Sequence, residues 1–192
     1  MTFFNKVYRT LISYKNQVAS ALRIIHFKLK YPSLHIDFKS YLSTQCNIVC
    51  VDGAQCDIKN CHFAQGVYIV IEKDAVLKLS DSSFGPQTVI VAKEYIEIKS
   101  HCSVAEMVVI RDQNHQFGNN RLIKDSGYDT GKICIEENVW IGAKATVCPG
   151  ITCKSHSVLA VGSVATKDLE PYHIYQGNPA VIVKKRTIAY TD

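Results

Sequence analysis

A six-residue repeat in the C-terminal third constrains the fold more than any other feature of this chain. Counting every sixth residue gives an apolar or small series: Ile135, Ile141, Val147, Cys153, Leu159 and Ala165. The residues two positions earlier are also compact: Ile133, Val139, Ala145, Ile151, Ser157 and Ser163. A helix repeats every 3.6 residues and a half-buried strand every two, so neither produces this pattern. It predicts a solenoid of short strands joined by tight turns.

The repeat is weaker upstream but is still present. Ile98, Val104 and Ile110 are six residues apart, and so are Ile71 and Leu77. The segment 67–100 is rich in β-branched residues that are interrupted by short polar turns, as expected for strands. We therefore predict an all-β solenoid over residues 41–170, with a helical segment at 1–40 and a tail or short helix at 171–192.

The repeat stops between Asp112 and Lys132, where polar residues and glycines replace the apolar positions. Such a long irregular segment in a compact domain is usually functional or mobile. One histidine, His115, lies near its start, and Asn119, Asn120 and Arg121 could bind a sugar or a phosphate. The interruption therefore predicts an extended loop at about 112–132 that carries a site.

Three C-terminal motifs are specific enough to indicate a family. "VWIGAKATVCPGI", "SVLAVGSVATKDLEPY" and "GNPAVIVKKR" resemble the signature of the hexapeptide-repeat acyltransferases. The resemblance implies a left-handed parallel β-helix with three hexapeptides per coil, and a homotrimer. Glycine normally follows the aliphatic residue of each repeat, but here Glu136, Cys148, Lys154 and Ala160 stand at that position. We expect these lost glycines to raise the strain of some turns.

The start of the loop resembles a catalytic motif of the same family. "RDQNHQF" is similar to the aspartate-x-x-histidine pattern of sugar and polysaccharide O-acetyltransferases, which implies that His115 is the catalytic base. An imidazole titrates near neutral pH, so it can take a hydroxyl proton and return it to a leaving thiolate. Asp112 and Asn114 are candidate substrate-binding residues, with Asp112 also able to orient the imidazole. For each of them a role as a turn residue is the alternative interpretation.

The resemblance also implies acetyl-CoA as the acyl donor, bound in a groove between neighbouring subunits. The positions that match the family's cofactor groove are Trp140, Ala143, Val161, Thr166, Lys167 and Lys184. Lys167 and Lys184 are expected to meet the phosphates of the cofactor. No metal is expected, because the chain has no CxxC pair and lacks the paired histidine spacing of zinc-dependent relatives of this fold.

The positive charge of the chain is concentrated at its N-terminus. Residues 1–40 contain seven Lys or Arg residues and one acidic residue, Asp37, so their net charge is +6. The remaining residues contribute −1, which gives the overall net charge of +5. Apolar residues such as Val7, Leu11 and Tyr14 recur there at helical spacing. A basic amphipathic helix can lie on an anionic membrane surface or cap the open end of a solenoid, and the sequence is compatible with both. No nucleic-acid partner is expected.

Eight cysteines fall mostly where aliphatic residues would stand, which is typical of free thiols that pack as small hydrophobes. With no secretory signal peptide recognisable before them, we predict reduced thiols in a cytoplasmic protein, with peripheral membrane contact left open. The predicted function is acetyl-CoA-dependent O-acetylation of a sugar hydroxyl, on a cell-surface polysaccharide or its lipid- or nucleotide-linked precursor. Acetylation of an antibiotic or of an amino-sugar nitrogen, and a non-catalytic β-helix, are the alternatives.

Overall fold

The structure, a computed structural model, describes residues 3–118 and 121–187. It begins with a single helix, α1 (Phe3–Lys30), within the helical segment predicted at 1–40. Strands start directly afterwards at Leu34, so the predicted boundary near residue 41 is too late. The C-terminal part of the helix closes the end of the solenoid: Ser20, Ile24 and Phe27 are buried. Within the described residues, no helix is long and apolar enough to cross a bilayer.

Six coils of three strands each follow the helix. In chain order the strands are β1 (Leu34–Ile36), β2 (Tyr41–Leu42), β3 (Asn47–Cys50), β4 (Gln55–Lys59), β5 (His62–Phe63), β6 (Tyr68–Ile71), β7 (Val76–Ser80), β8 (Ser83–Phe84), β9 (Val89–Ala92), β10 (Tyr95–Ile98), β11 (Ser103–Val104), β12 (Val109–Arg111), then, in the loop, β13 (Gln113–His115) and β14 (Tyr128–Thr130), then β15 (Ile133–Ile135), β16 (Trp140–Ile141), β17 (Thr146–Val147), β18 (Thr152–Cys153), β19 (Val158–Leu159) and β20 (Val164–Ala165), with β21 (His173–Gly177) and β22 (Ala180–Lys185) at the end.

Each coil contributes one strand to each of three parallel sheets, so the solenoid has a triangular section. We call these sheets face A (β1, β4, β7, β10, β15, β18), face B (β2, β5, β8, β11, β16, β19, β21, β22) and face C (β3, β6, β9, β12, β17, β20). The predicted fold class, an all-β left-handed parallel β-helix with an N-terminal helix and an extended loop, is confirmed.

The six-residue repeat corresponds to the inward-facing positions. All six residues of the series from Ile135 to Ala165 are at most 1% exposed, and the companion series from Ile133 to Ser163 is buried as well. In coils five and six, Ile141 pairs with Leu159, 18 residues later. In the first coils, Ile48 pairs with Ile69, 21 residues later. The upstream repeat is weak because the strands of face C are four residues long in coils one to three and two residues long in coils five and six.

The turns are tight because one residue in most of them adopts a left-handed conformation. The corner between faces A and B (the AB corner) has Asn60, Asp81, His101, Asn138, His156 and Tyr172 at positive φ, and the corner between faces B and C (the BC corner) has Gln45, Gly66, Gln87, Met107, Lys144 and Gly162. None of Glu136, Cys148, Lys154 and Ala160 has a positive φ. The residue two positions further along does, and it is Asn138 or His156 in two of these turns and glycine in the other two.

A side-chain carboxylate stabilises one of the turns that lacks the glycine of the family. Glu136 accepts hydrogen bonds from the backbone N–H (2.9 Å) and the hydroxyl (3.0 Å) of Ser155, in the next coil. The bond from the Ser155 N–H is the largest influence on this carboxyl, and the net effect holds the pKa of Glu136 below its usual value. Glu136 therefore ties two coils together at the position where the family has glycine.

The C-terminal segment differs from the sequence-based expectation. Residues 173–185 form an antiparallel hairpin of β21 and β22 where a tail or short helix was predicted. The reason is that β21 continues the ladder of face B by pairing in parallel with β19, and β22 then folds back on it. Residues 188–192 lie outside the described residues.

The cysteines pack as predicted from the sequence. Five of the eight are buried, namely Cys50, Cys56, Cys61, Cys102 and Cys153, and the other three are half-buried. Burial raises the pKa of the Cys61 thiol to about 12, so this thiol stays protonated at neutral pH.

Candidate functional site

The loop leaves the solenoid at the corner between faces C and A (the CA corner), between β12 and β15. Its two ends pair as the antiparallel strands β13 and β14, in which His115 lies opposite Tyr128. The imidazole packs on the Tyr128 ring with 4.3 Å between the ring centroids and a 37° angle between the planes. His115 is otherwise exposed. The histidine is thus supported on one side and open on the other, as a base for an external substrate must be.

A polar network lies behind the Tyr128 ring. Lys93 Nζ is 4.3 Å from the ring centroid and is 2.5 Å from Glu72 Oε2, while Gln113 Nε2 donates to Glu72 Oε1 at 2.9 Å. Burial raises the pKa of Glu72, but the hydrogen bonds from Lys93 and Gln113 outweigh it, and the net pKa is lowered. Glu72 is therefore ionised at neutral pH and holds Lys93 under the ring that supports His115.

Gln113 has one polar atom that the fold leaves unused. Its side chain is 4% exposed, and its Oε1 has no hydrogen-bond partner among the described residues. Sequence reasoning did not select Gln113, Glu72, Lys93 or Tyr128. Glu72 and Lys93 come from earlier coils, so only knowledge of the coil register could have placed them beside the loop.

The substrate-binding prediction for Asp112 is wrong in the structure. Its side chain is fully buried, and its carboxylate accepts hydrogen bonds of 2.8 Å from the backbone N–H groups of Lys93, Glu94 and Tyr95. Because its carboxylate accepts three backbone hydrogen bonds at this turn, Asp112 fixes the CA corner of the preceding coil and anchors the start of the loop.

Asn114 keeps an exposed side chain, as a substrate-binding residue requires. Neighbouring residues of a strand point to opposite sides, so Asn114 and His115 project from different sides of the loop hairpin. Of the polar residues predicted at the tip of the loop, Asn119 and Asn120 lie outside the described residues. Arg121 is described and is exposed.

A cavity of about 620 Å³ opens on face B, on the other side of the solenoid from the CA corner. Trp140, Val161 and Arg186 are among its lining residues. The indole is 52% exposed, and Trp140 pairs with Ser103 on one side and Val158 on the other. The walls are largely apolar with few polar groups, as in most small-molecule sites.

The remaining cofactor residues expected from the family fall into separate groups. Ala143 lies beside the cavity at the BC corner, where its carbonyl accepts a hydrogen bond from the Gly162 N–H at 2.8 Å. Lys184 lies on β22 opposite Ile174. Thr166 and Lys167 follow β20 and are exposed at the CA corner, the same corner as the loop. One chain therefore does not bring all six residues together.

Arg186 is a lining residue that the sequence analysis missed. Its guanidinium donates to the carbonyl oxygens of His156 (3.1 Å) and Asn138 (3.4 Å), which fixes it at the rim of the cavity. His156 is held in turn by Asn138 (2.8 Å between Nδ1 and Nδ2) and stacks on Tyr172. A guanidinium beside an apolar cavity is suited to bind a phosphate group.

Comparisons with known proteins agree with this fold and with the C-terminal motifs. No family model matches the chain. A probable macrolide acetyltransferase of Lysinibacillus sphaericus is 43% identical over 56 residues, which are 29% of this chain and 31% of that protein. The chain thus matches only about a third of the length of this curated relative.

Two solved structures resemble the whole solenoid. One is a mutant of AntD, an N-acyltransferase from Bacillus cereus, in complex with dTDP-4-amino-4,6-dideoxyglucose and coenzyme A; its TM-score is 0.68 at 15% identity, over 85% of this chain and 90% of that one. The other is a galactoside acetyltransferase in complex with coenzyme A, with a TM-score of 0.50 at 22% identity, over 76% and 70% of the two chains.

The fold, the C-terminal motifs and these likenesses confirm the resemblance inferred from the sequence. The chain has the left-handed β-helix fold, and its C-terminal motifs are similar to those of known acetyltransferases.

Proposed function

We propose that the protein transfers an acetyl group from acetyl-CoA to a hydroxyl group of a sugar. The observation that carries this proposal is the position of His115, which is exposed at the root of the loop and supported from behind by Tyr128. The relatives support it as well, because the matching proteins are acetyl- or acyltransferases and two of the solved ones hold coenzyme A.

In the proposed reaction His115 takes the proton of the acceptor hydroxyl as its oxygen attacks the thioester carbonyl. A tetrahedral intermediate forms, the C–S bond breaks, and the imidazolium returns the proton to the leaving thiolate of coenzyme A. Each proton and bond is then accounted for, and no covalent acyl-enzyme is needed. One well-placed base contributes about 10²–10⁴-fold to such a step.

For the cofactor, we propose the cavity on face B and the column of turns beside it. Trp140 and Val161 would contact the pantetheine arm, and the carbonyl and N–H groups near Ala143 would bind its amides. Lys184 and Arg186 would meet the phosphates from one chain. Thr166 and Lys167 would do so from a neighbouring chain, since they lie at the CA corner.

His115→Ala tests the catalytic assignment. We expect the variant to keep its fold, its oligomeric state and its affinity for coenzyme A, and to lose at least about 100-fold in transfer rate. The measurement is thiol release from acetyl-CoA, corrected for hydrolysis, with a panel of sugar acceptors. The matched control is His35→Ala, which removes another exposed histidine, on β1. Near-wild-type rates for His115→Ala would show that this histidine is not the base.

Transfer to nitrogen is the second candidate reaction. It is favoured by the likeness to AntD, whose solved complex holds an amino sugar nucleotide and which spans most of this chain. The same panel distinguishes the two reactions when it includes matched hydroxy and amino sugars. An antibiotic acceptor, suggested by the macrolide acetyltransferase relative, is tested in the same assay.

A further inference from the structure

The helix α1 has two apolar faces, and the solenoid uses only one of them. The inner face contains Ser20, Ile24 and Phe27, all buried against the first coil. The Ser20 hydroxyl accepts a hydrogen bond from the Leu42 N–H (2.8 Å), and Arg23 donates to the Leu42 carbonyl (3.1 Å). These contacts fix the helix across the end of the solenoid and leave its opposite side uncovered.

The uncovered side carries an apolar stripe. At about 100° per residue, a spacing of three, four, four, three and four residues keeps side chains on one side of a helix. The stripe has this spacing, and each of its side chains is exposed. We call it the outer stripe, and it consists of Leu11 (64% exposed), Tyr14, Val18, Leu22 (62%), Ile25 and Leu29 (80%). Residues 10–18 are all exposed, and several of them line grooves beside Tyr41 of the first coil. Soluble surfaces rarely expose such a continuous apolar row without a partner.

The charges beside the outer stripe select the kind of partner. Lys15, Lys28 and Lys30 lie along its edges, and the first 36 residues contain no Asp or Glu. Two copies of the helix packed stripe to stripe would therefore bring lysines together without an acidic partner, whereas coiled-coil helices usually pair opposite charges at those edges. An anionic lipid surface offers both an apolar layer for the stripe and negative charge for the lysines.

We propose that α1 binds the surface of an anionic membrane through the outer stripe while its inner face caps the solenoid. The two roles left open by the sequence then belong to opposite sides of one helix. The proposal does not depend on the transferase function, because none of its residues lies in the loop or in the cavity on face B.

The test is flotation of the full chain with two kinds of vesicle, phosphatidylcholine alone and phosphatidylcholine mixed with phosphatidylglycerol, at low and high salt. We expect binding to the mixed vesicles only, and weaker binding at high salt. The double variant Leu22→Gln/Leu29→Gln should weaken it by at least about tenfold for each leucine removed. Its control is Val181→Gln/Ile182→Gln, which removes two exposed apolar residues from β22 at the other end of the solenoid.

A second pair of variants tests whether binding requires the lysines beside the outer stripe. Lys15→Gln/Lys28→Gln/Lys30→Gln should weaken binding about fivefold per lysine, whereas Lys73→Gln/Lys78→Gln/Lys99→Gln removes the same charge from exposed sites on the solenoid and should have little effect. Equal binding by the stripe variant and the wild type, or equal binding to both kinds of vesicle, would overturn the proposal. So would a smaller assembly for the stripe variant in light scattering, which would assign the stripe to contact between copies.

Discussion

At the scale of single residues, the start of the loop separates a structural acid from the proposed catalytic base. Asp112 and His115 are three residues apart and both polar, yet one is fully buried and the other is exposed. The difference arises because Asp112 ends a coil, where the N–H groups of Lys93, Glu94 and Tyr95 converge on its carboxylate. His115 lies three residues further along the chain, on strand β13 of the loop hairpin.

Asp112→Ala should therefore act on stability. The substitution leaves three half-buried N–H groups without this acceptor, and we expect it to lower the free energy of unfolding by roughly 3 kcal/mol. Denaturation by urea at fixed protein concentration measures the effect. The control is Asp129→Ala in the same loop hairpin, where the carboxylate accepts one exposed bond from Gln116 and the expected change is small. If Asp112→Ala instead kept its stability and lost only transfer, the residue would have to act on substrate.

At the scale of the element, the packing of two successive coils depends on how closely their turns approach each other. Gly142 shows this, because a Cβ atom there would lie 2.6 Å from the backbone nitrogen of Val161 in the following coil. Backbone atoms cannot move aside as a flexible side chain can. The glycine retained in "WIG" is thus needed for space between coils.

Gly142→Ala should destabilise coils five and six. We expect a loss of roughly 2 kcal/mol from the forced separation of the two turns, together with weaker binding of coenzyme A, since Trp140 and Val161 lie on either side of the contact. Thermal unfolding and calorimetric titration with coenzyme A measure the two effects. Gly118→Ala is the control, because no heavy atom of the described part of the chain lies within 4 Å of the added Cβ. A neutral Gly142→Ala would mean that the turns can separate without cost.

At the scale of the whole molecule, the proposed site is divided between distant parts of one chain. His115 lies at the CA corner, whereas Trp140 lies on face B, which the solenoid separates from that corner. A complete site then needs a second copy, in agreement with the homotrimer implied by the family. The first coil and α1 lie three coil spacings from the loop, about 15 Å along the axis.

Mixing of subunits tests this division. His115→Ala and Trp140→Ala chains should each be nearly inactive when acetyl-CoA is kept below its KM. Co-expressed in equal amounts, they should recover about a quarter of the wild-type rate, because a quarter of the sites would combine two intact halves from different chains. The measurement is thiol release from the purified mixed assemblies. No recovery, with both chains present in one assembly, would place the whole site within a single chain.

Much of the fold could be predicted from the residues because a solenoid repeats the same local rule. Ile135 and Leu159 occupy equivalent inward positions, so their spacing reveals the coil before any long-range contact is known. The upstream coils were harder to predict, because Ile48 and Ile69 are 21 residues apart, whereas equivalent residues in the later coils are 18 apart. The site was predictable only in part: His115 and Trp140 follow from motifs, whereas Tyr128 and Lys93 depend on which coils become neighbours.

The sequence by itself determined the period, the inward face and the point where the loop leaves, because each of these is a local property of consecutive residues. Only the tertiary structure decided which side chains meet across coils. It buried Asp112 beneath the preceding turn, set Lys93 and Tyr128 behind His115, moved Arg186 to the cavity and left one face of α1 uncovered. The physical reason is that contacts between coils depend on the register of residues about 20 positions apart, and the six-residue repeat specifies that register only where the coils have uniform length.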